Sequence, residues 1–489
     1  MEKLSIELSN GAIGFSLPKL DVSEFEIEEK IPSKLLRKSP LNLPEISENE
    51  AFRHFLRLSQ LNYNIDKSIY PLGSCTMKYN PKINEELARH PKFLNMHPYT
   101  PDEFSQGCLA VIYELCELLK EISGMDEVHL QPSAGAQGEL VGVLIISKYH
   151  RTKREKRSII LIPDSAHGTN PATATLAGLN AVEIKTVETN GILKAKLIKN
   201  EIEKYGEKIA GLMITNPNTF GIFEEEILEI SQLLHQIDAQ VYMDGANMNA
   251  FVGNLKPSEF GVDVMHFNLH KTFSTPHGGG GPGSGAIGVK KHLRKFLPNP
   301  RVKKINGKLK LVYEDEEFSI GRLHSFYGNF NIFIRALAYI RMLSSEGLKY
   351  ISYISTLNAN YLRRRLEELG YKVSYSNMPT MHEFVLTLKD IREKYGVKAL
   401  DVAKRLLDYG FHPPTIYFPL TVEEAFMIEP TESESKISLD SYIEAYEKIL
   451  NEIKENPELL LNAPTKTPVG RLDEVKAAKE LKVNWQNIN

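Results

Sequence analysis

Short apolar runs alternate with amphipathic helical patterns through the middle of this chain, and this alternation constrains the fold more than any other feature. The segments 209–215, 240–243 and 264–269 have the length and apolar content of buried strands. The stretches 193–205 and 224–237 carry apolar residues at helical spacing. Strands that alternate with helices in this way pair in parallel, so the sequence predicts an α/β fold with a doubly wound, mostly parallel sheet.

Polar residues follow several of the predicted strands, at the point where each strand ends. The set consists of Ser133, His167, Asn216, Asp244 and Lys271. Asp244 lies 28 residues after Asn216, and Lys271 lies 27 residues after Asp244, so each interval is about one strand–helix unit. Open α/β sheets bind ligands just outside the carboxyl ends of their strands. We therefore expect these side chains to converge at one edge of the sheet.

Lys271 lies where a predicted strand gives way to a loop, with His270 before it and the glycines 278–281 after it. An amine at such a position can form a Schiff base, although most lysines are simply surface residues. Four consecutive glycines are flexible enough to bend tightly around a bound group. A lysine for an imine, a carboxylate one strand away at Asp244 and a phosphate-binding turn are together the parts that pyridoxal phosphate (PLP) requires.

The candidate phosphate turn is the segment 131–139, QPSAGAQGE, which places small residues directly before an apolar helix. Free N–H groups and the helix dipole would bind a phosphate at Ser133–Gln137. The spacing of Gly135 and Gly138 fits neither a P-loop nor a dinucleotide fingerprint, and an ordinary strand-to-helix turn explains the segment equally well. His167 is open to three interpretations, as a ligand, as a ring that stacks on a cofactor, or as a polar surface group.

A second loop, the segment 70–81 with the sequence YPLGSCTMKYNP, has turns fixed by its prolines and glycine. It either presents hydroxyl groups and the ammonium of Lys78 to an anion, or it is a stiff surface loop. Further along, the segment 302–314 predicts a hairpin around Asn306 and Gly307.

Composition narrows the class of protein. The 489 residues carry a formal net charge of -3, which argues against broad binding to nucleic acid or to an anionic membrane. The three cysteines, Cys75, Cys108 and Cys116, form no Cys-x-x-Cys pair, and we predict neither a disulfide framework nor a metal site. We find no secretory signal, no transit peptide and no run of about 18 apolar residues. We expect a cytoplasmic protein.

We predict four segments. Residues 1–100 form an irregular, extended N-terminal arm, and residues 101–329 form a large α/β domain. Residues 330–462, rich in helical patterns at 333–343, 348–369, 398–409 and 438–455, form a smaller α+β domain. Residues 463–489 form a polar tail with Trp485 as its aromatic anchor.

Eight motifs resemble the glycine cleavage system P-protein family, and in particular the PLP-bearing subunit 2 of its two-chain form. They are YPLGSCTMKYNP (70–81), QPSAGAQGE (131–139), SAHGTNPA (165–172), YMDGAN (242–247), HFNLHKTFSTPHGGGGPGSG (266–285), SFYGNF (325–330), IEPTESES (428–435) and TPVGRLDE (467–474). The resemblance covers the chain from about Tyr70 onward. It implies the aspartate-aminotransferase-like fold, PLP-dependent transferase fold type I.

The resemblance also implies roles for individual residues. Lys271 would carry the cofactor, Asp244 would pair with the pyridine nitrogen, and His167 would stack on the ring. The phosphate would be surrounded by Ser133, Ala134, Gly135, Ala136 and Gln137. Asn216 or Thr215 would reach the ring's O3′, and three residues would approach the cofactor from a neighbouring subunit: Tyr327, Gly328 and Asn329. Four residues are candidates for binding the glycine carboxylate or lining the site mouth: Ser74, Cys75, Thr76 and Lys78.

The implied reaction is decarboxylation of glycine with transfer of the aminomethyl group to the lipoyl arm of H-protein. His270 or His167 would move protons, since imidazole titrates near neutral pH. The implied partners are a homologous subunit 1 in an α2β2 heterotetramer, the lipoylated H-protein, and the T-protein and L-protein of the wider system. Two alternatives stay open: a PLP-dependent amino-acid decarboxylase or aminotransferase that acts alone, and a non-catalytic structural subunit.

Overall fold

The structure is a computed structural model that describes residues 8–12, 14, 16, 18–39, 41, 43–277 and 283–481. The chain divides into two compact units, one formed by Ser68–Thr465 and a smaller one formed by the residues up to Lys67 and from Lys466 onward. The glycines 278–281 and the expected anchor Trp485 lie outside the described residues. Within the described ranges, no helix combines the length and the apolar character needed to cross a membrane.

The helices lie at the following positions in the described chain: α1 (Ile27–Lys30), α2 (Glu48–Gln60), α3 (Lys82–Ala88), α4 (Pro91–Leu94), α5 (Gln106–Ser123), α6 (Gly135–Thr152), α7 (Asn170–Leu176), α8 (Ala195–Tyr205), α9 (Ile227–Gln236), α10 (Phe330–Leu369), α11 (Lys389–Tyr395), α12 (Ala399–Asp408), α13 (Lys436–Glu455), α14 (Glu458–Leu461) and α15 (Glu474–Lys479).

The strands are β1 (Glu127–His129), β2 (Ile159–Pro163), β3 (Asn180–Ile184), β4 (Ile209–Thr215), β5 (Gln240–Gly245), β6 (Val264–Asn268), β7 (Gly285–Val289), β8 (Arg301–Ile305), β9 (Lys308–Val312), β10 (Lys372–Val373), β11 (Phe384–Thr387), β12 (Thr415–Ile416) and β13 (Ala425–Ile428).

The large sheet has the order β1-β7-β6-β5-β4-β2-β3 across the described strands. Strands β3, β2, β4, β5 and β6 pair in parallel, whereas β7 runs antiparallel to both β6 and β1. The chain order reverses between β2 and β4, because β3 lies on the outer side of β2 while β4, β5 and β6 extend the other way. The predicted doubly wound, mostly parallel sheet is confirmed, and this reversal is where such sheets bind ligands.

Both faces of the sheet are covered, which explains why its central strands are apolar throughout. Along β5, Val241 and Met243 join one hydrophobic cluster, and Tyr242 between them joins another. In β6, Val264 and Met265 divide between the same two clusters. Because successive side chains of a strand point to opposite faces, the two clusters are the two helix-covered layers of the sheet.

A smaller antiparallel sheet follows, with the order β10-β11-β13-β12 among the described strands. It packs with α10, α12 and α13 around a separate apolar cluster. Helix α10 is interrupted at Ser344, which has a φ of 57°, so its two halves correspond to the helical patterns predicted at 333–343 and 348–369. The hairpin predicted around Asn306 and Gly307 is also confirmed, as β8 and β9.

The N-terminal hundred residues are more regular than the sequence analysis predicted. Helix α2 has 13 residues and begins with a capping box. The side chain of Ser47 accepts the backbone N–H of Glu50, and the side chain of Glu50 accepts the backbone N–H of Ser47. A Ser followed three residues later by Glu indicates the start of a helix. The sequence analysis missed this pattern because the surrounding residues show no regular apolar spacing. The expectation of an irregular arm is therefore wrong for α2 and for α3. The boundaries assigned to the four segments stay predictions.

Candidate active site

The polar residues predicted to converge do meet at the carboxyl edge of the large sheet. Thr215, Asp244 and His266 are aligned across β4, β5 and β6 as neighbouring Cα partners. The backbone N–H of His167, in the loop after β2, donates to Thr215 Oγ1 at 3.1 Å. One row of adjacent strand ends therefore brings the carboxylate of Asp244 and the loop of His167 to the same place, as the spacing of these residues predicted.

Asp244 is buried but is held as an anion. Burial alone would raise the pKa of its carboxyl, yet His266 and His167 outweigh this effect and bring the pKa below its usual value. Asp244 Oδ1 lies 3.6 Å from His266 Nε2 and accepts the Ala246 N–H at 2.9 Å. The hydroxyl of Tyr242 hydrogen-bonds the other ring nitrogen of His266, with 2.5 Å between Tyr242 Oη and His266 Nδ1. A buried carboxylate placed this way can bind a cationic ring nitrogen.

His167 belongs to a chain of hydrogen bonds that the sequence analysis did not anticipate. Its Nδ1 lies 2.9 Å from Thr169 Oγ1, and that hydroxyl donates to Glu139 Oε2 at 2.8 Å. Burial and the nearby Asp244 raise the pKa of Glu139 to about 7. This chain, from Glu139 through Thr169 to His167, fixes the orientation of the imidazole from behind.

Lys271 is buried, with 8% of its surface exposed, and its amine has a defined partner. Its Nζ donates to the carbonyl oxygen of Ser74 at 2.6 Å. Its positive charge acts on Asp244, where it contributes to lowering the pKa, and on Cys75 in the loop of Ser74. The catalytic lysine proposed from the sequence is therefore an interior residue at the same edge as Asp244.

The loop 70–81 is anchored at several points of the same compact unit. The Ser74 N–H donates to Glu383 Oε2 at 2.8 Å, and the Thr76 N–H donates to Glu429 Oε2 at 3.1 Å. Ser74 and Thr76 have φ angles of 69° and 47°, so the backbone bends sharply at both residues. The burial of Cys75 raises the pKa of its thiol. Ser74 and Cys75 thus lie beside Lys271, and their role in binding the glycine carboxylate or lining the site mouth stays a prediction.

Lys78 does not present its ammonium to an incoming anion, which corrects the expectation for this residue. Its Nζ donates to the Thr272 carbonyl, to Tyr339 Oη at 3.1 Å and to Glu432 Oε1 at 2.6 Å. Only 3% of Lys78 is exposed. Since its donors are taken by internal acceptors, Lys78 anchors the loop to the residue that follows Lys271.

The turn before α6, the predicted phosphate site, packs closely against the ends of β6 and β7. Ala134 is extended and α6 begins at Gly135 without a side-chain cap. A Cβ on Gly135 would lie 2.3 Å from Asn268 Oδ1, and one on Gly285 would lie 2.5 Å from the Ala134 carbonyl oxygen. The side chain of Gln137 accepts the Ser133 N–H at 2.8 Å. A side chain at Gly135 would therefore collide with Asn268, and one at Gly285 would collide with the backbone of the turn that begins α6.

The segment 327–329 divides between two locations. Asn329 donates to the carbonyl oxygens of Ser133, at 3.1 Å, and Gly283, so it lies at this chain's own phosphate turn. Tyr327 Oη is 2.7 Å from His129 Nδ1, and a Cβ on Gly328 would lie 2.7 Å from the Leu130 carbonyl oxygen. The structure thus brings Asn329 to the turn and directs the hydroxyl of Tyr327 elsewhere. The approach of these residues to a neighbouring subunit's cofactor stays a prediction.

Asn216 is buried at the end of β4, where its Oδ1 accepts the Glu224 N–H at 3.0 Å and its Nδ2 has no protein partner. An unpaired buried amide is a candidate ligand for a cofactor oxygen.

His270 lies against Ser284, with 3.1 Å between Nδ1 and the Ser284 nitrogen. Burial and the neighbouring His277 lower the pKa of His270 to about 3. His270 therefore stays neutral at physiological pH.

Sequence reasoning missed a group of buried titratable residues around this edge: Glu139, His266, His277, His382, Glu383 and Glu429. Burial raises the pKa of the Glu383 and Glu429 carboxyls, that of Glu429 to about 7, and lowers the pKa of His277 to about 4. Glu383 and Glu429 lie in the C-terminal part of the chain, so their proximity to Ser74 and Thr76 depends on contacts that no local pattern predicts.

Comparison with known proteins identifies the family. A family model described as "Glycine cleavage system P-protein" matches residues 15–316, and one described as "Glycine dehydrogenase, C-terminal domain" matches residues 351–464. This chain belongs to the glycine cleavage system P-protein family.

Curated relatives of this P-protein chain match it from end to end. A protein of Caldanaerobacter subterraneus subsp. tengcongensis named "Probable glycine dehydrogenase (decarboxylating) subunit 2" is 53% identical over 485 residues, which cover 99% of this chain and 98% of the relative. A protein of Pyrococcus horikoshii with the same name is 50% identical over 490 residues, 99% of this chain and 96% of the relative.

Solved structures place the P-protein chain in PLP-dependent transferase fold type I. The crystal structure of glycine decarboxylase (P-protein) of the glycine cleavage system, in inhibitor-bound form, gives a TM-score of 0.69 at 20% identity and covers 86% of this chain and 94% of that one. An alanine–glyoxylate aminotransferase from Nostoc sp. gives a TM-score of 0.57 at 15% identity, and the match covers 86% of this chain and 98% of that one. The fold expected from the motifs is confirmed.

The P-protein family decarboxylates glycine with PLP as its cofactor, and the residues at the sheet edge fit that group. Three buried polar atoms there have no protein partner: Asn268 Oδ1, Asn216 Nδ2 and Glu139 Oε1. Gly135 packs against the side chain of Asn268 with no room for a Cβ, and the anionic Asp244 lies on β5, the strand next to β6, which Lys271 follows. Unpaired buried polar atoms are uncommon in folded proteins and commonly mark a ligand's place.

Proposed function

We propose that this chain is the PLP-bearing subunit of a two-subunit glycine dehydrogenase, which decarboxylates glycine and transfers the aminomethyl group to the lipoyl arm of H-protein. The observation that carries this proposal is the convergence of a buried lysine, Lys271, and a buried anionic carboxylate, Asp244, at one edge of a fold type I sheet. The names of the 50–53% identical relatives support the choice of reaction.

Lys271 would hold the cofactor through its amine, which donates to the Ser74 carbonyl. Bound PLP supplies an electron-withdrawing ring to the substrate's α-carbon. The anionic Asp244 keeps a proton on the ring nitrogen, which is the state in which the ring accepts electrons. His167 lies where it can stack on the ring, and its link to Thr169 and Glu139 keeps it in place.

The phosphate is held by the amides that begin α6, at Gly135, Ala136 and Gln137, where the helix dipole favours an anion. Asn216 would bind the ring's O3′ with its Nδ2, which lacks a protein partner. Burial lowers the pKa of both histidines first considered as proton carriers, His167 and His270, that of His270 to about 3. Burial of Lys271 and Asp244 excludes water from the reacting atoms, which strengthens their electrostatic effects.

The partners follow from the same reasoning. Relatives that match the whole chain are named as subunit 2, so we propose a subunit 1 and an α2β2 heterotetramer. The lipoylated H-protein receives the aminomethyl group, and the T-protein and L-protein act after it. We propose that the assembly works in the cytoplasm.

Release of labelled CO2 from carboxyl-labelled glycine tests the proposal. We expect release only when the PLP-loaded chain is combined with subunit 1 and lipoylated H-protein, and we expect the same mixture to exchange bicarbonate into glycine. Unlipoylated H-protein is the matched control and should support no sustained turnover. Release at an equal rate by the chain alone would instead show a PLP decarboxylase that acts on its own.

A further inference from the structure

Three buried side chains meet beside the loop of Ser74, and we call His382, Glu383 and Glu429 the His382 cluster. They are 2%, 4% and 0% exposed, respectively. One ligand atom from each lies within 4.8 Å of the others. The fold explains the meeting: His382 and Glu383 directly precede β11, Glu429 directly follows β13, and Phe384 pairs with Ile428 across these antiparallel strands.

The imidazole of His382 has unmet hydrogen-bonding capacity. Neither Nδ1 nor Nε2 has a hydrogen-bond partner. Its nearest polar neighbour within the cluster is Glu383, with 3.6 Å between Nε2 and Oε1, which is too long for a hydrogen bond. Buried polar groups are nearly always satisfied, and an unsatisfied one costs about 1–3 kcal/mol. An imidazole nitrogen left free beside carboxylate oxygens is the arrangement of a metal ligand.

The two carboxylates are surrounded by hydrogen-bond donors. Glu383 accepts from the Ser74 N–H, and Glu429 accepts from the Thr76 N–H, from Thr76 Oγ1 at 2.8 Å and from Asn247 Nδ2 at 2.9 Å. Donors of this kind orient the carboxylates that ligate metals. Among the ion pairs formed by the described residues, none joins a lysine or an arginine to either carboxylate. The charge of Lys271 acts on both carboxylates without forming an ion pair with either.

We propose that the His382 cluster binds one divalent cation of the Zn²⁺ or Mn²⁺ type. The ligands are a ring nitrogen of His382, Oε1 of Glu383 and one oxygen of Glu429, with water in the remaining positions. A mixed set of one imidazole and two carboxylates suits these ions. Ligand atoms about 2.1 Å from a tetrahedral ion lie about 3.4 Å apart. The cluster's ligand atoms lie within 4.8 Å of one another, so each pair closes in by at most about 1.4 Å on binding.

The ion would join the small sheet to the loop whose Ser74 carbonyl directs Lys271. Because Glu383 and Glu429 also hold the backbone at Ser74 and Thr76, an ion between them would restrain that loop. The proposal concerns binding and does not depend on which reaction the PLP site performs.

A second group of potential ligands offers a control within the same chain. His150, Glu155 and Asp238 also lie within 4.8 Å of one another. In that group, however, both nitrogens of His150 are used, by Glu155 at 3.0 Å and by the Ala210 carbonyl at 2.9 Å. Asp238 is hydrogen-bonded by Tyr149 and Lys153. We therefore expect no ion there.

The test uses the PLP-loaded full chain, dialysed against EDTA and then equilibrated with Zn²⁺ alone or Mn²⁺ alone. Metal content is measured by mass spectrometry after desalting, and circular dichroism verifies the fold. We expect one ion per chain for the wild type and for the control Glu155→Gln. For His382→Gln and for Glu383→Gln we expect at least about a tenfold loss of affinity. Uptake of neither ion by the wild type, or equal uptake by folded His382→Gln, would overturn the proposal.

X-ray absorption on the wild-type chain locates the ion without relying on a variant. We expect only nitrogen and oxygen ligands, at about 2.0–2.2 Å. A sulfur ligand at about 2.3 Å would place the ion at Cys75 beside His277 and would refute the assignment to the His382 cluster.

Discussion

The amine of Lys271 and the carbonyl oxygen of Ser74 lie 2.6 Å apart, although 197 residues separate them along the chain. This contact makes the position of the reactive amine depend on a loop that folds back from the N-terminal part of the same unit. It also shows that Lys271 is a positioned interior residue, since a lysine at the surface would have water as its partner.

Lys271→Ala should abolish covalent attachment of PLP, because the nearby amine of Lys78 is held by the Thr272 carbonyl, Tyr339 and Glu432. After borohydride reduction, intact-mass measurement should find the PLP adduct on the wild-type chain and on none of the variant. The exposed Lys256, paired with Glu121, provides a control, and Lys256→Ala should retain the adduct. An adduct on Lys271→Ala would show that another lysine carries the cofactor.

Gly285→Ala should weaken PLP binding by at least about tenfold, or about 1.4 kcal/mol. Its Cβ would lie 2.5 Å from the Ala134 carbonyl oxygen, so the backbone of the phosphate turn must move. The measurement is a titration of the PLP-free chain followed by absorbance. Gly107→Ala is the matched control, since a Cβ there meets nothing within 4 Å. Equal PLP affinity of Gly285→Ala and wild type would show that the turn does not hold the phosphate.

Lys78→Met should lower the free energy of unfolding by about 3 kcal/mol, because it leaves the carboxylate of Glu432 buried without its cation. The side chains of this pair are only 1% and 13% exposed. Chemical denaturation measures the change. In the exposed pair Lys436–Asp440, the lysine side chain is 72% exposed, and Lys436→Met should change stability little. A loss as small as that of the control would contradict the anchoring role of Lys78.

Thr169→Val should reduce PLP affinity about 3–10-fold, the size of one net hydrogen bond. The variant keeps the shape of the side chain but removes the hydroxyl that joins His167 to Glu139. Fluorescence or absorbance titration gives the dissociation constant. Thr175→Val, on the helix α7 that follows Thr169, removes a hydroxyl bonded only to the Pro171 carbonyl in the described structure, and this variant should bind PLP as the wild type does.

Glu224 should make stability fall as the pH rises. Burial raises the pKa of its carboxyl to about 8 in the folded chain, whereas an ordinary glutamate has a pKa of 4.5. Between these two values the folded state binds more protons than the unfolded state, so the free energy of unfolding declines with pH and levels off above the folded value. Glu224→Gln removes this titration, and its stability should decline less than that of the wild type between pH 5 and about 8. If the free energy of unfolding changed equally for both proteins between the two pH values, Glu224 would not be the titrating group.

The sequence predicted the large sheet well because its strands are marked locally. Segments such as 209–215 and 264–269 are apolar along their whole length, and the polar residue that ends each one lies at the sheet edge. The same reasoning failed for α2, where a capping box stands among irregular residues. It also failed for Lys78, because a basic residue in a loop looks the same whether it faces solvent or a buried carboxylate.

The parts of the site that could not be predicted are those made by distant segments. Glu383 contacts Ser74 across 309 residues, and Glu429 contacts Thr76 across 353 residues. No spacing or neighbouring residue in the sequence predicts either contact. Glu139 lies in the segment 131–139, which was interpreted only as a phosphate turn because of its small residues. The sequence therefore did not predict the hydrogen bond from Thr169 to Glu139. Contacts of this kind are set by the packing of the two sheets, which residue patterns within one element do not encode.

The anchoring of the loop 70–81 has a practical consequence for anyone who wishes to shorten or transplant this scaffold. A gene fragment that starts after Asn80 would still encode the lysine and the whole parallel sheet, yet it would leave the Thr272 carbonyl and the acids at 383, 429 and 432 without the groups that now satisfy them. Grafting experiments should carry both pieces, or supply the early peptide in trans.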